Sequence, residues 1–242
     1  MSFTPNLKWD QEGYKYYETG DKKAVLYPYN ASAAGNNGPY DTAVAWSGLT
    51  AFTLSPSGAE ANAIYADDIK YAELRSAEEV GATIEAYTYP EEWAACDGSA
   101  ELADGVYAGQ QTRQKFGFCV RTTIGNDATA EAGYKLILLY GATASPSEKS
   151  YQTINDSPEA ITFSWEVTTN PVDVPGYKPT SCITIDSRYA NASKLEDLEK
   201  ILYGNDTGTA GTTTTGRLPL PSEVMSIMGP SGATGATGTT GA

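Results

Sequence analysis

Phe116-Gly117-Phe118-Cys119-Val120-Arg121-Thr122-Thr123-Ile124 puts Phe116, Phe118, Val120, Thr122 and Ile124 on one face and Gly117, Cys119, Arg121 and Thr123 on the other. Alternation with period two specifies a strand with one face on a core. Downstream, Tyr134-Lys135-Leu136-Ile137-Leu138-Leu139-Tyr140 is apolar on both faces, as expected of a central strand covered on each side. Ile161, Phe163, Trp165 and Val167 alternate with polar residues, as do Val80, Ala82, Ile84 and Ala86 with Gly81, Thr83, Glu85 and Tyr87. Thr19-Gly20-Asp21, between Tyr14 and Tyr27, is expected to turn a hairpin.

Helical signals are fewer. Ser193-Lys194-Leu195-Glu196 has the spacing of a capping box, with Ser193 as N-cap. Leu195, Leu198, Ile201 and Leu202 then form one apolar stripe, and Gly204 supplies the stop. A second short helix is expected from Pro90, where Glu91 and Glu92 suit the positive helix end and Trp93 points inward. Seventeen Tyr against five Phe, with 24 Gly and 13 Pro, fit a turn-rich β protein.

The chain of 242 residues carries 30 acidic and 16 basic residues, a net charge of −14, and no histidine. The missing imidazole excludes Ser-His-Asp and Cys-His catalysis and histidine-bound zinc. So acidic a chain lacks the basic patch that specific nucleic-acid binding uses. Cys96, Cys119 and Cys182 match no metal or redox spacing and are expected to be reduced thiols. Met1-Ser2-Phe3-Thr4-Pro5-Asn6 has neither a basic nor an apolar region, so no export signal is expected there. The longest apolar run, Leu136 to Tyr140, is too short to span a bilayer, so no membrane partner is expected.

No phosphate-binding glycine loop is present, and Gly125-Asn126-Asp127 and Gly204-Asn205-Asp206 read as turns rather than calcium loops. Glu78/Glu79 and Glu91/Glu92 are adjacent pairs, which does not provide the facing carboxylates of a glycosidase. No catalytic, cofactor-binding or metal-binding residues are assigned, and a non-enzymatic role is expected. Charge is more informative. Twelve carboxylates lie between Glu60 and Asp104 against Lys70 and Arg75 alone, and they account for most of the net charge. Such a surface repels a polyanion.

Residues 1–203 are expected to form one β domain with a long polar loop at about 28–45. Residues 204–228 read as a flexible linker carrying an apolar arm, Arg217 to Met228. Residues 229–242 repeat glycine every third position, a collagen-like period too short for a stable triple helix, and are expected to be a flexible tail.

Tyr65-Ala66-Asp67-Asp68-Ile69-Lys70-Tyr71-Ala72-Glu73-Leu74, followed by Gly81-Ala82-Thr83-Ile84-Glu85-Ala86-Tyr87-Thr88-Tyr89-Pro90-Glu91-Glu92-Trp93, resembles the major tail proteins of long, flexible-tailed bacteriophages. The later order of elements, through the capped helix to Leu218-Pro219-Leu220-Pro221, is similar as well, so that the resemblance spans roughly residues 5–228. It implies a mainly β fold, a β-sandwich or barrel of tail-tube type with one flanking α-helix, extended loops and terminal arms. It further implies a structural subunit that assembles into stacked hexameric rings, the conduit for DNA ejection.

The implied partners are copies of the chain, a tape measure protein, and tail terminator and tail-tip proteins, with DNA only in transit. The implied location is the virion tail, after synthesis in the bacterial cytoplasm. No cofactor is implied. The lumen-facing candidates are Glu73, Thr83, Glu85 and Tyr87. Ring stacking falls to the long loop, with Tyr29, Asn36, Asn37 and Tyr40, while the N-terminal arm and a C-terminal arm with Leu218, Leu220, Val224 and Met228 reach adjacent subunits. The alternative reading is a tail-tip or receptor-binding adhesin of the same type of virion, suggested by the Tyr-rich strands and the Gly-x-y tail. A carbohydrate-active enzyme using two carboxylates is a third class.

Overall fold

The computed structural model describes residues 9–33, 38–40, 42–58, 60–151, 153, 160–206 and 214–229. The protein is mainly β, and all its strand pairs are antiparallel. The main sheet holds β1 (Tyr17–Pro28), β2 (Val44–Trp46), β3 (Leu49–Gly58), β6 (Glu78–Ala86), β9 (Phe116–Gly125), β10 (Gly133–Ala144), β11 (Phe163–Thr169) and β12 (Cys182–Asp186). Its order is β2-β1-β9-β10-β11-β6-β3, with β12 also on β10. Two small hairpins lie outside it: β4 (Ala61–Ala66) with β5 (Ile69–Arg75), and β7 (Ala100–Ala103) with β8 (Val106–Ala108).

The long strand β10 organises this sheet. Its first half pairs with β12 through Lys135 to Leu139, and its end pairs with β11 through Ala142 to Ala144. Gly141 stands at the change of partner with φ +59, where an added Cβ would lie 2.2 Å from the carbonyl oxygen of Asn170. Beyond this point the β11-β6-β3 wing folds back over β1 and β9, so that Phe52 of β3 lies 5.4 Å from Phe118 of β9 between ring centroids. The sheet does not close, and β2 and β3 remain its ends.

Period-two patterning explains both faces. Phe116, Phe118 and Val120 join Leu26, Ile84, Trp165 and Val167 in a core between the wing and the central strands. Trp46, Trp93 and Trp165 meet at its centre, with centroids 4.8–5.6 Å apart, and α1 (Trp93–Cys96) delivers the middle one. Cys119, Leu136, Leu138 and Tyr140 face the other way, into a second core roofed by α2 (Ala192–Tyr203) and α3 (Pro221–Met228). Tyr134 to Tyr140 is therefore covered on both sides, as its composition requires.

Three expectations are corrected. Thr19-Gly20-Asp21 makes no hairpin, because β1 runs straight through it. Thr19 pairs with Thr123 and Asp21 with Thr122, which leaves Gly20 as the extra residue of a bulge at φ +68. The cap of α2 is Asn191, not Ser193: the Asn191 side chain accepts from the Ser193 and Lys194 amides at 3.1 and 3.2 Å. Asparagine in extended backbone does the same work as serine two residues earlier.

The third correction concerns the arm at 217–228, which docks on its own chain. Leu218 and Val224 are buried in the second core and Leu220 and Met228 pack against it, so all four make contacts within their own chain. Main-chain bonds fix the arm: Leu218 N–H to the Tyr40 carbonyl at 3.0 Å and Arg217 N–H to Ile201 at 2.8 Å. Leu218 inserts where Gly117 leaves room, since a Cβ there would lie 2.3 Å from Leu218 Cδ2.

Candidate functional site

Four surface features come from this architecture. The first is the outer face of the wing. Because Ala82, Ile84 and Ala86 point into the core, Thr83 and Glu85 point out. Strand register sets them in a grid: Ala51, Glu85 and Ser164 in one row, Thr53, Thr83 and Glu166 in the next, Ser55, Gly81 and Thr168 in the third. The face is small, hydroxyl-rich and acidic, with neither an aromatic nor a cation among these nine residues. Thr83 and Glu85 are thus brought together, and Glu166 joins them. Sequence reading missed Glu166, although its place between Trp165 and Val167 marks it as outward. Tyr87 sits just past β6, exposed, with its amide bonded to the Gly48 carbonyl at 2.9 Å.

The second feature is the β4–β5 ribbon, which extends the β3/β6 pair past Gly58 and Glu78. Pairing of Ala63 with Glu73, Ile64 with Ala72, Tyr65 with Lys70 and Ala66 with Ile69 sorts its side chains. One face carries Tyr65, Lys70, Glu73 and Arg75. Glu73 is held between two cations, bonded to Lys70 and to Arg75 Nη2 at 2.9 Å. Those two bonds, Lys70 first, keep its carboxyl below the ordinary range. The charge of Glu73, one of the lumen-facing candidates, is thus met within the ribbon. The opposite face carries Ile64, Ala66, Ile69, Ala72 and Leu74, with Asn62 as its polar member, and Ile69 and Leu74 are 64% and 58% exposed. A two-stranded hairpin is marginal without cover on an apolar face.

The third feature is an open cleft of about 550 Å³ lined by Glu91, Glu92, Glu101, Tyr107, Arg113 and Gln114, among others. Arg113 and Lys149 are both committed to Asp97, leaving the three glutamates as the cleft's net charge. Glu101 pushes the neighbouring Tyr107 phenol above its usual range. From its rim projects the β7–β8 hairpin, with Leu102 71% exposed beside the Asp104-Gly105 turn.

The fourth is a second cleft of about 550 Å³, lined by Lys22, Lys23, Arg121, Glu131, Tyr134 and Leu195 with others. Lys22 pairs with Glu131 at 3.1 Å, Lys23 lies over the Tyr203 ring, and Arg121 stacks 3.5 Å from the Tyr134 centroid, 3.9 Å from Glu199. Lys22-Lys23 is the chain's single pair of adjacent cations, and this signal passed unused in the sequence reading.

The long loop behaves otherwise than expected. Tyr40 is 2% exposed, edge-on to Tyr29 and Tyr140, and its hydroxyl accepts from the Gly141 amide at 3.0 Å. Tyr40 is a core residue of its own chain and not a surface anchor, and half-buried Tyr29 packs against it. Asn36 and Asn37 lie outside the described residues, as do residues 1–8 of the N-terminal arm and residues 230–242 of the Gly-x-y tail. Compared with protein-family models and with curated proteins, the chain matches none.

Proposed function

We propose that this chain is the tube subunit of a long, flexible bacteriophage tail, a non-enzymatic protein that closes into hexameric rings and stacks them into a conduit for DNA. The observation that carries the reading is the two-faced ribbon Ala61–Arg75, apolar on one side and ion-paired on the other, projecting from the open β3 end of the sheet. An uncovered apolar face beside an unpaired strand edge is a liability in a monomer and an asset in a closed ring, where each copy covers the next. On this reading the folded-over sheet is a β-sandwich of tail-tube type flanked by α2.

The outward grid of Thr83, Glu85 and Glu166 suits the lumen. Duplex DNA carries one negative charge about every 1.7 Å of its axis, and a hydroxyl-rich acidic wall offers it no counterion. Copies of the chain, a tape measure protein and the terminator and tip proteins are the partners this role implies.

Electron microscopy of the concentrated protein tests the reading. Hollow rings or tubes are expected, and Ile69→Asp with Leu74→Asp is expected to leave a folded monomer that forms neither. Trimeric fibres would replace the proposal with the adhesin, and a wild-type protein that stays monomeric at high concentration would end it.

A further inference from the structure

The two clefts lie at opposite ends of one strand and carry opposite charge. Arg113 and Gln114 of the acidic cleft immediately precede β9, whereas Arg121 and Thr123 of the cationic cleft lie near its far end. Seven residue steps along β9 separate Phe116 from Thr123, roughly 23 Å. We infer that the β7–β8 hairpin of one copy docks into the Lys22–Lys23–Arg121 cleft of the next, head to tail. The inference rests on the tube reading and names its axial contact.

Three observations carry it. The hairpin tip is an acidic turn flanked by uncovered apolar side chains, with Leu102 and Val106 both more than half exposed beside Glu101 and Asp104. The receiving cleft is the complement of that tip, with Lys22, Lys23 and Arg121 against Glu131 alone at its walls and Leu195 and Tyr134 among its lining. Lys22 is held loosely within the chain, because its pair with Glu131 is solvent-exposed, whereas Lys23 lies over the Tyr203 ring and Arg121 is stacked on Tyr134. Exposed pairs contribute little and exchange partners at small cost.

The geometry also sets the mode of association. A surface at one end that fits a different surface at the other is heterologous, and without rotation back on itself it repeats along an axis. With Tyr40 buried and Tyr29 packed on it, the long loop's aromatics are occupied inside their own chain, and the hairpin is the projecting apolar feature near that same end of β9.

Two charge reversals test this. Glu101→Lys with Asp104→Lys alters the hairpin, and Lys22→Glu with Lys23→Glu alters the cleft. Each protein is examined alone and in a one-to-one mixture by sedimentation velocity and electron microscopy, with thermal melting as a check on folding. Each variant alone is expected to give rings but at least about tenfold less stacked tube, because like charges then face each other. The mixture is expected to regain tubes, since each reversed end meets an oppositely reversed end, and a misfolded variant would not be rescued.

Tubes of wild-type length from either variant alone overturn the inference and leave the ring reading intact. So does a mixture that stays unstacked while both variants melt like wild type. Saturable binding of inorganic phosphate in the cleft, with assembly indifferent to both reversals, overturns it in favour of a small-anion site. Absence of rings from the wild type overturns the tube reading. Reversal-sensitive, mixture-rescued chains without rings support the hairpin contact alone.

Discussion

The Tyr140 hydroxyl donates to the main-chain carbonyl of Pro219 at 3.0 Å, from a ring with no exposed surface. This bond ties the central strand to the C-terminal arm across 79 residues of sequence. Around it, Tyr27 donates to the Leu202 carbonyl at 2.9 Å, and the Gly141 amide donates to Tyr40. Three buried tyrosines thus use their hydroxyls to fix α2, the arm and the long loop onto one face of the sheet.

Tyr140→Phe removes one donor and leaves a buried carbonyl unpaired. The expected cost is about 1–3 kcal/mol, read as a lower midpoint in urea with an unchanged slope. Limited proteolysis is expected to cut first near residues 217–220 in this variant.

Gly117 and Leu218 occupy one space. Gly117→Ala places a methyl against Leu218 Cδ2 and is expected to destabilise by about 1–3 kcal/mol through overpacking. Leu218→Ala alone opens a cavity at a cost of about 2–5 kcal/mol. In the double variant the new methyl partly fills the space left by Leu218, so its loss is expected to be smaller than the sum of the two. A double-mutant cycle by chemical denaturation checks this, and strict additivity would contradict the packing described.

Asn191→Ala is expected to cost about 1 kcal/mol, because the amides of Ser193 and Lys194 lose their acceptor. Ser193→Ala, at an exposed position, is expected to stay within about 0.5 kcal/mol of wild type. The order of the two melting temperatures distinguishes the observed cap from the capping box read in the sequence.

Alkaline pH is expected to unfold the protein. Burial pushes the Tyr27, Tyr140 and Tyr203 phenols well above their ordinary range, and pushes the Cys96 and Cys119 thiols up to about 12. These groups keep their protons in the folded state while the unfolded chain loses them, from about pH 8.5 for thiols and about pH 10 for phenols. Their contribution is therefore complete below those values and is lost as pH rises towards the folded ones. Denaturation midpoints measured from pH 8 to 11 are expected to fall, steepest above pH 10. At pH 8 a thiol reagent is expected to react with Cys96 and Cys119 only after denaturant is added.

Much of the fold was legible in particular residues. Phe116 to Ile124 and Tyr134 to Tyr140 declared their strands, because side chains alternate strictly across a pleated sheet; the second buried face of Phe116 to Ile124, with Gly117 and Cys119, did not show, since small and polar residues there read as a solvent face. Leu195, Leu198 and Leu202 declared the inner face of α2. The outward direction of Thr83 and Glu85 followed from the same alternation. By contrast, Thr19-Gly20-Asp21 reads identically as a turn or a bulge, and only the partner strand, with Thr122 and Thr123 in register, decides between them.

The sequence by itself determined the main strands and α2, the acid-rich segment and the absence of imidazole chemistry, since all of these depend on local spacing or composition. Tertiary structure alone decided that Tyr40 and Leu218 belong to the interior and that two oppositely charged clefts stand at the two ends of β9. Those facts depend on which distant segments meet. Contacts between residues a hundred positions apart are set by how whole faces pack, and no local pattern encodes them.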